Sequence, residues 1–169
     1  MSALLTEATR LGAPPALVTI NSAFMQEIKE ASGELWALLD KLAEFSSHPW
    51  LIRDHPMQAV ELVAQLQDQL ALYFSLEEHY AYFEGPASVE PRFSAQAAAL
   101  REEHRAIYLD ICAILDRAER LLDQRRLASL TRHIVVRLDA FCAQLKAHEA
   151  REQELLLRAL HDDSGGVND

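Results

Sequence analysis

Glycine and proline, the residues that most often interrupt helices, stand at only a few places in this chain. There are five glycines and six prolines, and neither residue occurs between Pro91 and Gly165. Breakers gather at 12–15, 49–56 and 85–91 and leave long uninterrupted stretches between them. The sequence therefore predicts four long helices with short connections, which favours an all-α fold, an antiparallel up-down-up-down four-helix bundle.

The breakers also predict how the chain is divided. Residues 1–19 are expected to form an N-terminal arm, 20–161 the bundle and 162–169 a flexible, solvated tail. Asn21 or Ser22 can cap the first helix, and Ser94 the third. The predicted helices run from there to about 45, from 56 to about 84, from 94 to about 123, and from the following turn to about 160. The segment 46–55 is predicted to be a connection.

Composition and charge limit the classes of function. Half of the residues are hydrophobic (50%), enough for one sizeable core, and the formal net charge is -10. Because so acidic a surface repels phosphate groups, we expect neither nucleic acid nor membrane lipid as a partner. The N-terminus lacks the basic and apolar regions of a secretory signal, so a cytoplasmic location is predicted, with Cys112 and Cys142 as reduced thiols.

Each predicted helix carries apolar residues at alternating spacings of three and four, the pattern of a stripe that faces a core. Four polar residues interrupt these stripes: Glu77 in the second helix, His104 in the third, and His148 and Glu152 in the fourth. A buried carboxylate without a partner is energetically costly. These side chains must therefore bond to one another or to a cation.

The same four residues are expected to lie at one level of the bundle. In an antiparallel pair, residues equally distant from the connecting turn are neighbours. His104 and His148 lie 21 and 23 residues from the turn near 125, and Glu77 and His104 lie 12 and 15 residues from the connection near 89, so the mismatches are about one helical turn or less. Counting back from the first connection, near residue 51, by as many residues as Glu77 lies after it leads to about residue 25, close to Glu27. Imidazole and carboxylate together suit iron, manganese or zinc. The sequence thus predicts a cation site of Glu77, His104, His148 and Glu152, with Glu27 as its weakest member.

Three segments carry a resemblance to a known family. They are Leu-Tyr-Phe-Ser-Leu-Glu-Glu at 72–78, Leu-Arg-Glu-Glu-His-Arg-Ala-Ile at 100–107 and Leu-Lys-Ala-His-Glu-Ala-Arg-Glu-Gln-Glu-Leu-Leu at 145–156. In this order they resemble the HF-x-x-EE, EH and H-x-x-x-E motifs of the hemerythrin-like (HHE cation-binding) family, over residues 20–161. The resemblance implies an up-and-down bundle that can hold an oxo-bridged di-iron centre for oxygen binding, oxygen or redox sensing, iron storage or the handling of nitric oxide damage.

The family's ligand positions are matched only in part. Tyr73 and Tyr108 stand where the resemblance implies histidines, and Ile28 occupies the level of the first-helix histidine. The implied site is therefore richer in carboxylates than that of an ordinary oxygen carrier. The positions that do match are Glu77, His104, His148 and Glu152.

The resulting hypothesis is a binding protein for non-haem iron, as one ion or two, or for another divalent cation, with dioxygen as a further partner and a role in oxygen, redox or iron handling. A metal-free bundle with a regulatory or protein-interaction role, and a weak di-iron oxidase or nitric-oxide-handling enzyme, stay open as alternatives. No common catalytic motif occurs, and a bundle interior is expected to offer no substrate cleft. The acidic neighbours of the motifs are expected on solvated faces: Glu78, Glu102, Glu103 and Glu149.

Overall fold

The computed structural model describes residues 22–80 and 91–164, and the side chains of 26–78 and 93–158 within them. The described secondary structure is entirely helical: α1 (Ser22–Ser47), α2 (Pro49–Asp54), α3 (Pro56–Tyr80), α4 (Pro91–Asp123) and α5 (Leu127–Ser164). None of these helices combines the length and the apolar character that a bilayer span requires. The predicted N-terminal arm, the predicted end of the second helix beyond 80, and the tail from 165 onward lie outside the described residues.

The short helix α2 lies in the segment predicted to be a plain connection. Pro49 stands at its first position, where a missing backbone N–H costs nothing. The Ile52 side chain is completely buried, and α2 contacts α1, α3 and α5. The segment 46–55 is therefore a helical connection that contributes an aliphatic side chain to the core.

The ends of the long helices follow their local sequence. α3 begins at Pro56, as predicted, whereas α4 begins at Pro91 rather than after a Ser94 cap, because proline itself suits the first turn. α4 ends at Asp123, and the chain reverses through Arg125, whose φ of 55° is left-handed. The Arg125 and Arg126 N–H groups donate to carbonyls of the last turn of α4, at 2.9 Å each. This pair of bonds forms a Schellman motif.

The four long helices contact one another in cyclic order, α1 with α3, α3 with α4, α4 with α5 and α5 with α1. Their shared interior is aliphatic and aromatic. In α4 the inward-facing residues are buried along the helix, from Leu100 to Leu121, whereas in α1 Leu39 is buried and Leu38 is half-buried. Examples of the most deeply buried side chains are Leu35, Leu66, Ile111, Ile134 and Phe141.

Candidate metal centre

A layer of polar side chains crosses the core where α3, α4 and α5 meet. Among the described residues, the buried polar side chains are the four predicted ones: Glu77, His104, His148 and Glu152, which are 0–9% exposed. The main hydrophobic cluster borders this layer on one side. A smaller cluster of Phe93, Ala97, Leu100 and Leu155 forms a separate group. Polar groups in such apolar surroundings have little access to water and depend on one another for partners.

Both histidines direct Nε2 toward one carboxylate oxygen. The Oε1 atom of Glu152 lies 3.0 Å from His104 Nε2 and 3.3 Å from His148 Nε2. Oε2 of Glu77 lies 3.6 Å from His104 Nε2. One ligand atom each from His104, His148 and Glu152 lie within 4.8 Å of one another. This spacing suits a single first-row divalent cation, which sits about 2 Å from each nitrogen and oxygen ligand.

A second group of ligand atoms shares Glu152 and contains only carboxylates. Oxygens of Glu77, Glu149 and Glu152 also lie within 4.8 Å of one another, and the Tyr73 hydroxyl donates to Oε2 of Glu149 at 3.1 Å. The expectation that Glu149 lies on a solvated face is wrong, because the side chain is half-buried at the edge of the core. Its spacing of three residues from Glu152 could have indicated this, since residues i and i+3 share a helix face.

The outer nitrogen of each histidine contacts a further carboxylate. His148 Nδ1 lies 2.9 Å from Oε2 of Glu103, which also accepts a bond from Arg151. His104 Nδ1 lies 3.2 Å from Oε1 of Glu78. A proton on Nδ1 donated to these carboxylates leaves Nε2 free of hydrogen and able to ligate a cation. Glu78 and Glu103 are partly exposed, as expected, yet they orient the two rings.

Phe74 fixes the plane of the His104 ring. The two rings stack with centroids 4.1 Å apart and an interplanar angle of 9°, and Phe74 also meets the His148 ring edge-on at 5.9 Å. Sequence reasoning did not single out this residue, because it lies one position beside the predicted stripe of the second helix. The signal was present in the Tyr-Phe pair at 73–74, where the phenylalanine aligns with that of the HF-x-x-EE motif.

Three buried polar atoms of the described side chains have no hydrogen-bond partner: Glu77 Oε2, His148 Nε2 and Glu149 Oε1. All three belong to residues of the cluster. Leaving a buried acceptor unpaired costs about 1–3 kcal/mol, so such atoms are rare in native proteins and need a specific explanation. Each of them is a good cation ligand, and cations held by the two groups of ligand atoms that share Glu152 would provide the missing partners.

The carboxyl groups of the cluster differ in the direction in which their surroundings shift the pKa. Burial, followed by repulsion from Glu152, raises the pKa of Glu77 to about 9, and the same two causes raise the pKa of Glu149. For Glu152, burial opposes ionisation, but the contacts with His104 and His148 outweigh it and lower the pKa. Burial alone would lower the pKa of His148, and the neighbouring Glu152 and Glu103 carboxylates raise it instead. Without a cation, Glu77 therefore keeps a proton at neutral pH.

These shifts predict that the chelator-treated protein loses stability as the pH rises. Glu77 has a pKa of about 9 in the folded protein, against an ordinary value of 4.5, so between these values the folded state holds the extra proton. His148, whose pKa is also raised, acts in the same direction. Urea denaturation in EDTA should show the free energy of unfolding falling by up to about 1.4 kcal/mol per pH unit for each such proton. A flat profile between about pH 5.5 and 8.5 would contradict this electrostatic account.

A cleft between α1 and α5 reaches the cluster from the protein surface. It has a volume of about 630 Å³ and is lined by residues of α1, α3 and α5 that include Lys29, Ser32, Tyr73, Glu77, Glu149, Glu152 and Gln153. The expectation that the bundle offers no cleft is therefore wrong. The cleft arises from the spacing between helices, which the sequence pattern does not determine.

Glu27, the weakest predicted ligand, is not brought into the cluster. It is exposed on α1, whereas the neighbouring Ile28 is buried and takes the inward position at this level. Glu27 belongs to neither group of closely spaced ligand atoms and does not line the cleft. The core-facing position of α1 is thus apolar, and the cluster is built from α3, α4 and α5.

Comparison of the chain with protein-family models, with curated proteins and with solved structures finds no match. The hemerythrin-like resemblance therefore stays a prediction.

Proposed function

We propose that this protein binds a divalent cation in the buried cluster, with His104, His148, Glu152 and Glu77 as the ligands. The observation that carries the proposal is the set of buried ligand atoms without partners, above all Glu77 Oε2 and His148 Nε2. A polar layer that served only structure would be expected to pair these atoms internally. Here they belong instead to two groups of closely spaced ligand atoms that share Glu152.

The donor chemistry favours a first-row transition metal. Two imidazoles and two carboxylates suit iron, manganese or zinc, whereas magnesium and calcium prefer oxygen ligands alone. We propose non-haem iron, in one or two positions, as the leading occupant, and a role in oxygen, redox or iron handling. The hemerythrin-like resemblance of the segments at 72–78, 100–107 and 145–156 supports this choice.

The scaffold we propose is an antiparallel up-down-up-down four-helix bundle of α1, α3, α4 and α5. Three features support it: the cyclic contacts among these helices, the tight turn through Arg125 between α4 and α5, and the short α2 connection between α1 and α3. Short connections place consecutive helices side by side in opposite directions. Such a scaffold presents side chains from several helices at one level.

Bound iron would supply one-electron chemistry and an affinity for dioxygen. The chain's own residues contribute the orientation of the ligands. Glu103 and Glu78 hold the imidazole rings through their Nδ1 atoms, and Phe74 stacks on one of them. Tyr73 donates a hydrogen bond that fixes Glu149. These contacts would hold the ligand atoms in place for a cation.

Metal analysis of the purified protein tests the proposal. After anaerobic loading with ferrous ion and removal of unbound metal, we expect about one iron or more per chain, because the ligands are preorganised and the cost of deprotonating Glu77 is repaid by the cation. The same measurement on protein purified without chelator should find iron, manganese or zinc. Less than about a tenth of a metal ion per chain in both samples would reject the proposal and leave the metal-free bundle, with a regulatory or protein-interaction role, as the better reading.

A further inference from the structure

We propose that the cleft between α1 and α5 is the port through which hydrated divalent cations reach the centre, and that Glu149 captures them at its inner end. This inference rests on the proposed function and concerns the path to the site, not the ligands that hold the cation at equilibrium. The proposed port explains two features that the ligands of the bound cation do not account for: the cleft itself and the half-buried carboxylate of Glu149.

The cleft has the size and the depth that this task requires. Its mouth is formed by exposed residues of α1 such as Gln26 and Lys29, and it extends to the buried carboxylates of Glu77 and Glu152. Its volume is about 630 Å³. A water molecule occupies about 30 Å³ of liquid, so a cation can enter together with its hydration waters. It can then exchange these waters for protein oxygens one at a time.

Glu149 lies where an arriving cation would first meet a fixed carboxylate. It lines the cleft and is less buried than Glu77 or Glu152. The Tyr73 hydroxyl holds its Oε2 atom at 3.1 Å, while the buried Oε1 atom has no hydrogen-bond partner. An oxygen of Glu149 lies within 4.8 Å of ligand oxygens of Glu77 and Glu152. Since neither histidine lines the cleft, a cation would pass from oxygen ligands to the imidazoles behind them.

The opposite side of the cluster is less suited to entry. A cavity of about 250 Å³ between α4 and α5 is lined by Glu103, Arg151 and Arg158 and reaches none of the four buried polar residues. Its charged side chains form two ion pairs, Arg151 with Glu103 and Arg158 with Glu154, so it offers an arriving cation no excess of carboxylates. Near His104, the stacked ring of Phe74 and the contact with Glu78 occupy the space beside the imidazole. The lining residues thus favour the α1/α5 cleft, which reaches Glu77, Glu149 and Glu152.

Blocking the cleft should slow exchange without removing the site. Ser32 is half-buried, lines the cleft and belongs to neither ligand group. In Ser32→Trp, stopped-flow absorbance of Co²⁺ should show slower binding, and EDTA chase should show slower release, each by about tenfold if the path is open in one molecule in ten. The exposed Gln153 lines the same cleft from α5. Gln153→Trp therefore gives an independent block that does not disturb α1.

Two further variants test the role of Glu149 and provide a control. Glu149→Gln should slow Co²⁺ binding while leaving the Ser32 side of the cleft intact. Ala99→Trp places the same bulk in the α4/α5 cavity and should leave both rates unchanged. Wild-type rates in both Ser32→Trp and Gln153→Trp, or slowing in Ala99→Trp alone, would overturn the port. Equilibrium titration of the wild type with Co²⁺ is read separately, so a failure of cation binding itself would be distinguished from a wrongly placed port.

Discussion

Replacing His148 with alanine is expected to abolish both cation binding and the cation-dependent rise in Tm. The side chain is completely buried, and its Nε2 atom has no hydrogen-bond partner, so the variant loses one of the two proposed imidazole ligands. A cation present at a thousand times its Kd stabilises the native state by about 4 kcal/mol. For a domain of this size that corresponds to about 8–16 °C in Tm. Calorimetry with and without Mn²⁺ or Zn²⁺ measures the difference.

A matched control comes from the same helix. His133 also lies on α5, and its ring Nε2 lies 2.9 Å from the Ile114 carbonyl oxygen, outside the cluster. His133→Ala should lose a little stability through this one hydrogen bond and keep the full cation-dependent rise. A rise that persists in His148→Ala, or one that disappears in His133→Ala, would contradict the assignment of His148 as a ligand.

Replacing Glu77 with glutamine is expected to stabilise the chelator-treated protein while it abolishes cation binding. The pKa of this carboxyl is raised from 4.5 to about 9, so at pH 7 folding must add a proton to a group that is ionised in the unfolded chain. This costs about 3 kcal/mol, because each pKa unit between 4.5 and 7 is worth about 1.4 kcal/mol. Glutamine has nearly the same shape and carries no charge, so the variant avoids this cost.

Urea denaturation in EDTA measures the effect, and its pH dependence identifies the cause. The difference between Glu77→Gln and the wild type should grow from about pH 5 to pH 8, because the cost of protonating Glu77 grows over that range. Glu61 lies on the same helix and is exposed, so Glu61→Gln should change stability little at any of these pH values. A Glu77→Gln protein less stable than the wild type throughout would show that the carboxyl contributes to folding without a cation.

The helical class and the four buried polar residues could be predicted from the sequence because both follow from periodicity. A position such as His104 falls on a core stripe whatever the details of packing, and its burial is then a direct consequence of helix geometry. Glu27 was predicted from a different argument, its distance along the chain from the first connection, and it does not lie in the cluster. Reflection through a connection gives a level along the bundle but not a direction around the helix, and Ile28 takes the inward position.

The surroundings of the site could not be predicted, because they depend on distances between helices. The rotation of α5 that half-buries Glu149, the stacking of Phe74 on His104 and the gap that forms the α1/α5 cleft are set by side-chain packing across several elements. An apolar stripe predicts which face of a helix is buried, but not how far the burial extends at the edges of that face. Glu103 lies at such an edge and contacts the outer nitrogen of His148. The sequence pattern could not predict this contact.

Among the described residues, the beginning of α4 and the later part of α5 share a small hydrophobic cluster that is separate from the main one. His104 and Glu152 lie next to this cluster on the same two helices. A metal ion shared by Glu77, His104 and Glu152 would join α3, α4 and α5 at this level. Occupancy is therefore expected to suppress local opening of all three helices there, because a ligand that binds the native state stabilises it.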